Sequence, residues 1–398
     1  MKILIDENIP HAYKLFSKTG KVILIPGRQI PPDLLDIADA LLVRSVTRVD
    51  ATLLEGKNIK FVGTTTAGTD HIDEKFLRNH GICFASAPGC NAIAVAEYVI
   101  SAILALAERD NFSIKDRIIG IIGVGNVGYC LHQKLLVLGV RTILCDPPLA
   151  ARIEKGIFCS LSLKEVLSQA EILTLHTPLS TQGPWKTRYL FNSTLLSSLK
   201  PNSILINASR GPVVENSALL ELLTNRNDLS IVLDVWENEP ALSLALLDKV
   251  DIGTAHIAGY TLEGRIRGTI QILVALRHFL EQPPQLVAFN RLLPIAQINY
   301  IRLNGILNQV TLTRLVHLVY DIRYDDALLR NTVQNKDGFD FLRKNYRERR
   351  EWSSLYIQCD NANTASILKN LGFNAFYEIN ASSQKKWKNF PEYSELST

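Results

Sequence analysis

At 398 residues the chain is longer than one ordinary core accommodates, and its 47% hydrophobic and 21% charged composition excludes wholesale disorder. Forty-three basic against 39 acidic residues leave a formal charge of +4, too little to hold nucleic acid by bulk attraction, so any anion site must be focal. Six cysteines without a C-x-x-C pair read as reduced thiols rather than a disulfide frame or a metal site.

Short β-type runs at 2–6, 21–26, 40–44 and 60–63 alternate with helical stretches, each ending in turn or polar residues, which is the pattern of a parallel α/β unit. The N-terminus has three apolar residues before Asp6 and Glu7, fewer than the roughly 7 to 15 of a secretory segment, so a cytoplasmic protein is expected. The most apolar stretch, 92–107, is interrupted by Glu97 and falls short of the roughly 20 residues of a membrane helix. It reads as a core helix, and no membrane partner is expected. A second strand series follows at 118–122, 141–145, 171–176, 203–207, 230–234 and 251–254, suiting a doubly wound sheet. Ser162 to Glu165 fits a capping box, and Gly139 a helix C-cap. Pro283-Pro284 and Pro294 interrupt the helical run 262–280 and place a boundary near 285–295. Beyond it, 312–320 is ambiguous between strand and helix, 341–352 reads as a charged helix, and the polar tail from Ser382 as frayed.

Gly123-Val124-Gly125-Asn126-Val127-Gly128 follows an apolar strand and opens a helical run. Gly123 permits the tight turn, Gly125 close approach of a pyrophosphate, and Gly128 close helix–strand packing. Asp146, at the end of the next strand, can accept from adenosine ribose hydroxyls and would repel a 2′-phosphate, which favours NAD over NADP.

The chemistry is written past three consecutive strands: Arg210 after 203–207, Glu239 after 230–234 and His256 after 251–254. Oxidising an alcohol beside a carboxylate requires this set. Histidine, titrating near neutral pH, takes the hydroxyl proton; an arginine fork binds the carboxylate; an acid steadies the imidazolium. Singly each residue has a bland reading as a surface pair, a turn acid or a strand cap. Their order past one sheet edge favours function.

These segments, with Gly211, Val214, Thr66 to Asp73, and Pro88-Gly89-Cys90-Asn91 leading into Val95-Ala96-Glu97, resemble the signatures of the D-2-hydroxyacid dehydrogenase family over residues 60–265. Runs 2–8, 42–47, 87–95, 315–321 and 349–354 resemble one branch of it, acting on a small phosphorylated 2-hydroxy acid, so the likeness spans nearly the whole chain. The resemblance implies NAD-dependent oxidation with Arg210, Glu239 and His256 as catalytic residues. It places substrate contacts at Ser45, Thr66 and Tyr260, and cofactor contacts at Asn126, Val127, Asp146, Thr177, Ala208, Ser209, Arg210, Asp234 and Gly259. It also implies a Rossmann-type doubly wound parallel-sheet cofactor domain (101–261) inserted into a flavodoxin-like substrate domain (1–100 and 262–288). A small α+β C-terminal dimerisation domain (289–380) and a flexible tail (381–398) follow, and a homodimer is expected.

A substrate with a carboxylate at one end and a phosphate at the other needs a second cationic site. Arg44 is the leading candidate; the cluster Arg347, Arg349 and Arg350, from this subunit or a partner, is the second. Two other readings compete. One is a sibling dehydrogenase acting on 3-phosphoglycerate, against which 349–354 speaks. The other is an NAD(H)-sensing binding protein with little turnover, against which the complete catalytic set speaks.

Overall fold

The computed structural model describes residues 1–153, 158–335 and 337–378; the expected C-terminal tail lies outside the described residues. Strands β1 (Lys2–Asp6), β2 (Lys21–Ile25), β3 (Ala40–Val43), β4 (Phe61–Thr64) and β5 (Cys83–Ala85) pair in parallel in the order β2-β1-β3-β4-β5, the flavodoxin-like order. β3 and β4 are buried throughout, as strands covered on both faces are. Gly63 lets a helix approach: a Cβ there would lie 2.7 Å from Ile272 Cγ2.

The second sheet holds the six strands expected from the second series: β6 (Ile118–Ile122), β7 (Arg141–Cys145), β8 (Ile172–Leu175), β9 (Ile204–Asn207), β10 (Ser230–Leu233) and β11 (Ile252–Gly253). All are parallel, in the order β11-β10-β9-β8-β6-β7. Strand order reverses between β6 and β8, and ligands of such sheets bind outside the carboxyl ends at that point.

Two long helices carry the chain between the sheets. Helix Ala92–Asp110, buried continuously from Ala94 to Ala107, packs into the core of the second sheet. Helix Leu262–Phe279 places Ile266, Ile272, Leu273 and Leu276 among Ile3, Ile5, Leu42 and Phe61 of the first. A third sheet, β12 (Tyr300–Leu303), β13 (Tyr356–Cys359) and β14 (Asn374–Tyr377), is also wholly parallel, with helices in its connections, so the C-terminal module is in detail an α/β unit.

The ambiguous run 312–320 is helical up to Val319, in helix Gln309–Val319 capped by Asn308, and Tyr320 is extended. The charged run at 341–352 departs from expectation. Helix Gly338–Lys344 ends there, and Arg349 is extended, its carbonyl accepting from Leu262 N–H at 2.9 Å. The basic residues explain the break. Arg349, 2% exposed, donates to the carbonyls of Ala94 (2.8 Å) and Ala258 (3.1 Å) and lies 3.6 Å over the Tyr320 ring. Arg350 pairs with Glu263 at 2.8 Å, and Arg347 lies 3.6 Å from Asp325. A straight helix could not deliver these side chains to separate partners. The expectation that the cluster Arg347, Arg349 and Arg350 forms a phosphate site is therefore corrected for Arg349 and Arg350, whose charges are engaged inside this chain, while Arg347 stands half-exposed beside Asp325.

Candidate active site

Register brings the three chemical loops to one edge. Asn207, Leu233 and Gly253 pair across β9, β10 and β11, so the residues that follow leave the sheet side by side. Gly211, next to Arg210, touches the neighbouring loop backbone to backbone: a Cβ on it would stand 1.9 Å from Trp236 O. Asn207 shapes the arginine loop, its carboxamide donating to Arg210 O (3.0 Å) and accepting from Ser209 N–H and Oγ (3.1 and 2.8 Å).

Glu239 and His256 meet directly. Oε2 of Glu239 lies 2.7 Å from His256 Nδ1, while Oε1 accepts from Trp236 N–H at 2.8 Å. Burial works against ionisation of Glu239, but the imidazole, its hydrogen bond, the Trp236 N–H and the Arg343 guanidinium outweigh it and hold the carboxyl below its ordinary value. An ionised carboxylate only accepts, so Nδ1 carries the hydrogen and Nε2 is left as the basic nitrogen.

His256 adopts a left-handed backbone, φ 54°, which for a residue with a side chain costs about 1 kcal/mol or more. Asp234 holds it there. Its carbonyl accepts from His256 N–H at 2.7 Å, and its carboxylate accepts from Thr254 Oγ1, Ile257 N–H and Ala258 N–H at 2.6, 2.7 and 3.0 Å. Asp234 is 1% exposed, and burial raises its carboxyl against these contacts. Tyr98, on the core helix, donates to Thr254 Oγ1 at 2.7 Å and ties the network to that helix.

Arg210 reaches across to the first sheet. Its Nε donates to Asp70 Oδ2 at 2.8 Å and its Nη1 to Ser209 O at 2.7 Å. Gly68 lies beneath the guanidinium, where a Cβ would stand 1.9 Å from Nη2. Thr66 donates to Gly68 O (2.9 Å) and bonds Thr64 Oγ1 (2.8 Å), which also bonds His71 Nε2 (3.0 Å). Burial, with the Arg210 charge beside it and Asp70 opposing, lowers His71 to about 4, so this imidazole is neutral at pH 7. Ser45 is exposed just beyond β3, and Arg44 donates to Asp6 at 2.9 Å.

The glycine loop fits a dinucleotide. Gly123 has φ +88°, and a Cβ on it would stand 2.5 Å from His176 O; one on Gly128 would stand 2.0 Å from Gly123 O. Both glycines are explained inside the protein. A Cβ on Gly125 would meet nothing within 4 Å, so the space it leaves faces outward, at the uncapped start of helix Asn126–Val137, beside Asn126 and Val127. A pyrophosphate matches that space and that dipole. Asp146 accepts from Val124 N–H (2.7 Å) and Leu149 N–H (2.8 Å), and each carboxylate oxygen keeps further acceptor capacity for ribose hydroxyls. Thr177 Oγ1 and His176 Nδ1, past the neighbouring strand, are buried with no partner among the described residues, and burial lowers His176 to about 3. Ala208 is half-buried between β9 and Arg210. Gly259 abuts Asn91, whose Nδ2 would lie 2.8 Å from a Cβ there, and Gly89 abuts Asn126, so the 88–91 loop bridges the catalytic and glycine loops.

Tyr260 accepts from Arg343 Nη2 at 2.9 Å. Arg343, Asp70, Gly68, Asn91 and Asn207 are site residues that the sequence analysis did not single out. Gly68, Asp70 and Asn91 lie inside the segments that carry the family resemblance without a role assigned to them, Asn207 is the last residue of a buried strand before Arg210, and Arg343 falls in the charged run 341–352. Among the described residues no group of metal-ligating side chains is assembled, and no helix is long and apolar enough to cross a membrane.

The profile of the D-isomer specific 2-hydroxyacid dehydrogenase NAD binding domain matches residues 104–258, and that of a domain of unknown function (DUF3410) matches 292–372. The erythronate-4-phosphate dehydrogenase of Cronobacter sakazakii is 60% identical, over 94% of this chain and 98% of its own length. That of Klebsiella pneumoniae is 57% identical, over 95% and 99%. Among solved structures, an NAD+-bound 3-phosphoglycerate dehydrogenase of Entamoeba histolytica superposes with a TM-score of 0.60 at 22% identity, over 70% of this chain and 95% of that one. A D-lactate dehydrogenase of Aquifex aeolicus, complexed with NAD and lactic acid, gives 0.58 at 22%, over 71% and 96%.

Proposed function

The chain belongs to the erythronate-4-phosphate dehydrogenases, a branch of the D-2-hydroxyacid dehydrogenase family, and from that membership we propose how its residues oxidise 4-phospho-D-erythronate to 3-hydroxy-2-oxo-4-phosphooxybutanoate in vitamin B6 biosynthesis. The cofactor is NAD, which when bound takes up the hydride from the carbinol carbon. The protein's task is to hold that carbon, remove the hydroxyl proton and stabilise charge.

His256 is the general base. Its Nε2 accepts the C2 hydroxyl proton, and Glu239 on Nδ1 fixes the tautomer and stabilises the imidazolium that results. Arg210 binds the C1 carboxylate and polarises the forming carbonyl, with Nε anchored on Asp70 and Nη2 over Gly68. Ser45, Thr66, Tyr260 and Arg44 contact the remainder of the substrate. Gly125, Asn126, Val127, Asp146, Thr177, Ala208, Ser209 and Gly259 would hold the cofactor, on a loop whose shape Gly123 and Gly128 permit. Asp234 would stand behind the bound cofactor, where it maintains the strained His256 backbone.

The Glu239–His256 pair carries this reading, because a carboxylate aimed at Nδ1 leaves the other nitrogen basic. His256→Ala should lower kcat by about 10²–10⁴ with NAD binding retained; unaffected turnover would reject the assignment.

We place the enzyme in the cytoplasm as a homodimer. Six free thiols suit a reducing compartment. Exposed apolar residues concentrated in the C-terminal module, Ile295, Ile298, Ile306 and Val310, suit a self-association surface.

A further inference from the structure

A cleft opens beside Tyr260, between the loops after β1, β2 and β3 and helix Gly338–Lys344 of the C-terminal module. Among the described residues that line it, Arg28, Arg44, Arg343 and Lys344 face two acids, Glu7 and Asp340, with Arg28 and Asp340 paired to each other at 2.7 Å. Cations therefore prevail on its walls.

Two arginines have the character of anion ligands. Arg44 is anchored through Nε to Asp6, which is 1% exposed and fixes the direction of the guanidinium. Arg343 donates through Nη2 to Tyr260 OH at 2.9 Å, while its Nε is buried with no partner among the described residues. A buried, unsatisfied guanidinium N–H costs free energy that an incoming oxyanion would recover. Arg265, which donates to Asn8 O at 2.8 Å, lies within the field of Arg44, so like charges crowd this end of the cleft. Tyr260 is four residues past His256, and Arg343 is felt electrostatically at Glu239, so the cleft adjoins the base.

We propose that Arg343, supplied by the C-terminal module of the same chain, binds the terminal phosphate of the substrate together with Arg44. That module thereby forms a wall of the active site and selects a phosphorylated over an unphosphorylated acid. The identity of the phosphate's owner rests on the function proposed above; the anion site itself does not.

The test compares the full-length protein with Arg343→Gln and Arg343→Lys. Calorimetry with inorganic phosphate should show Kd rising on the order of 10- to 100-fold for Arg343→Gln, the range of a lost charge-assisted contact, with partial recovery in Arg343→Lys. The KM for 4-phospho-D-erythronate should rise by a similar factor, well beyond the change for D-erythronate, and kcat should fall much less. If phosphate affinity and KM move by less than about threefold, or both substrates lose equally, the proposal is overturned. Phosphate binding that depends on Arg343 in a protein that does not oxidise 4-phospho-D-erythronate would uphold the site and overturn the functional reading.

Discussion

Glu239→Gln exchanges one oxygen for an NH2 and inverts the logic of the pair it forms with His256. Oε1 of Glu239 is required by Trp236 N–H at 2.8 Å, so a glutamine must keep its carbonyl there and turn its NH2 toward Nδ1. The imidazole then accepts at Nδ1 and carries its hydrogen on Nε2, the nitrogen that has to receive the substrate's proton. Charge is lost as well. Centres about 4 Å apart attract by about 1 kcal/mol in water and about 4 kcal/mol at an effective dielectric near 20. His256 is 32% and Glu239 18% exposed, which places the pair between these limits. About 2–3 kcal/mol of imidazolium stabilisation corresponds to roughly 30- to 160-fold in rate. The tautomer penalty adds to it, and the same acid-to-amide change in a serine hydrolase triad costs about 10⁴ in kcat. We expect kcat for 4-phospho-D-erythronate to fall by about 10³–10⁴, with NAD affinity, read from protein fluorescence, shifted by less than about threefold. A variant that keeps kcat within about tenfold, with the fold intact, refutes the reasoning.

The remaining expectations separate chemistry from scaffold. Gly125→Ala should leave the thermal midpoint nearly unchanged, because its Cβ meets no protein atom, yet weaken NAD binding; Gly128→Ala, whose Cβ meets Gly123 O at 2.0 Å, should lower both, and equal behaviour of the two counts against the pyrophosphate seat. Gly68→Ala should displace the Arg210 guanidinium and reduce kcat/KM by about 10²-fold with little change in melting, since the obstructing atom ends a flexible side chain; unchanged kinetics would detach Arg210 from that position. Arg349→Met should lower stability in chemical unfolding while leaving the KM of the folded fraction in place, and a KM defect without destabilisation would restore Arg349 as a substrate ligand. Glu97 is pushed up to about 8 by burial, against Lys134 and with Glu351 adding. Its protonated form is favoured in the fold, so the contribution of Glu97 to stability falls as pH rises from about 4.5 through about 8, and Glu97→Gln should gain on wild type over that window. A difference independent of pH would contradict this.

The parts of the fold and site that were legible share one property: their signals are local. The glycine loop declares itself through turn chemistry next to an apolar strand. Arg210, Glu239 and His256 were readable because each lies within a few residues of a strand end, and register alone aligns Asn207, Leu233 and Gly253. Contacts across the gap between sheets left no such trace. Gly68 and Asp70 serve an arginine 140 residues away or more, and nothing in their spacing says so. Charge patterning misled for the same reason. The run from Phe341 to Trp352 reads as one solvated helix, yet Arg349 and Arg350 are drawn out of helical register by carbonyls and a carboxylate from distant segments. Arg343, a single cation in that run, is the one that reaches Tyr260.

The central claim is that an arginine, a histidine and its acid act on a 2-hydroxy acid that also bears a phosphate. The direct measurement supplies NAD with 4-phospho-D-erythronate, 3-phospho-D-glycerate or D-lactate in turn, counting NADH and 2-oxo acid against enzyme so that one turnover per site suffices. The account predicts 2-oxo acid from 4-phospho-D-erythronate at a kcat/KM at least about 100-fold above either comparator. No product from it, or a preference for 3-phospho-D-glycerate, would contradict the account.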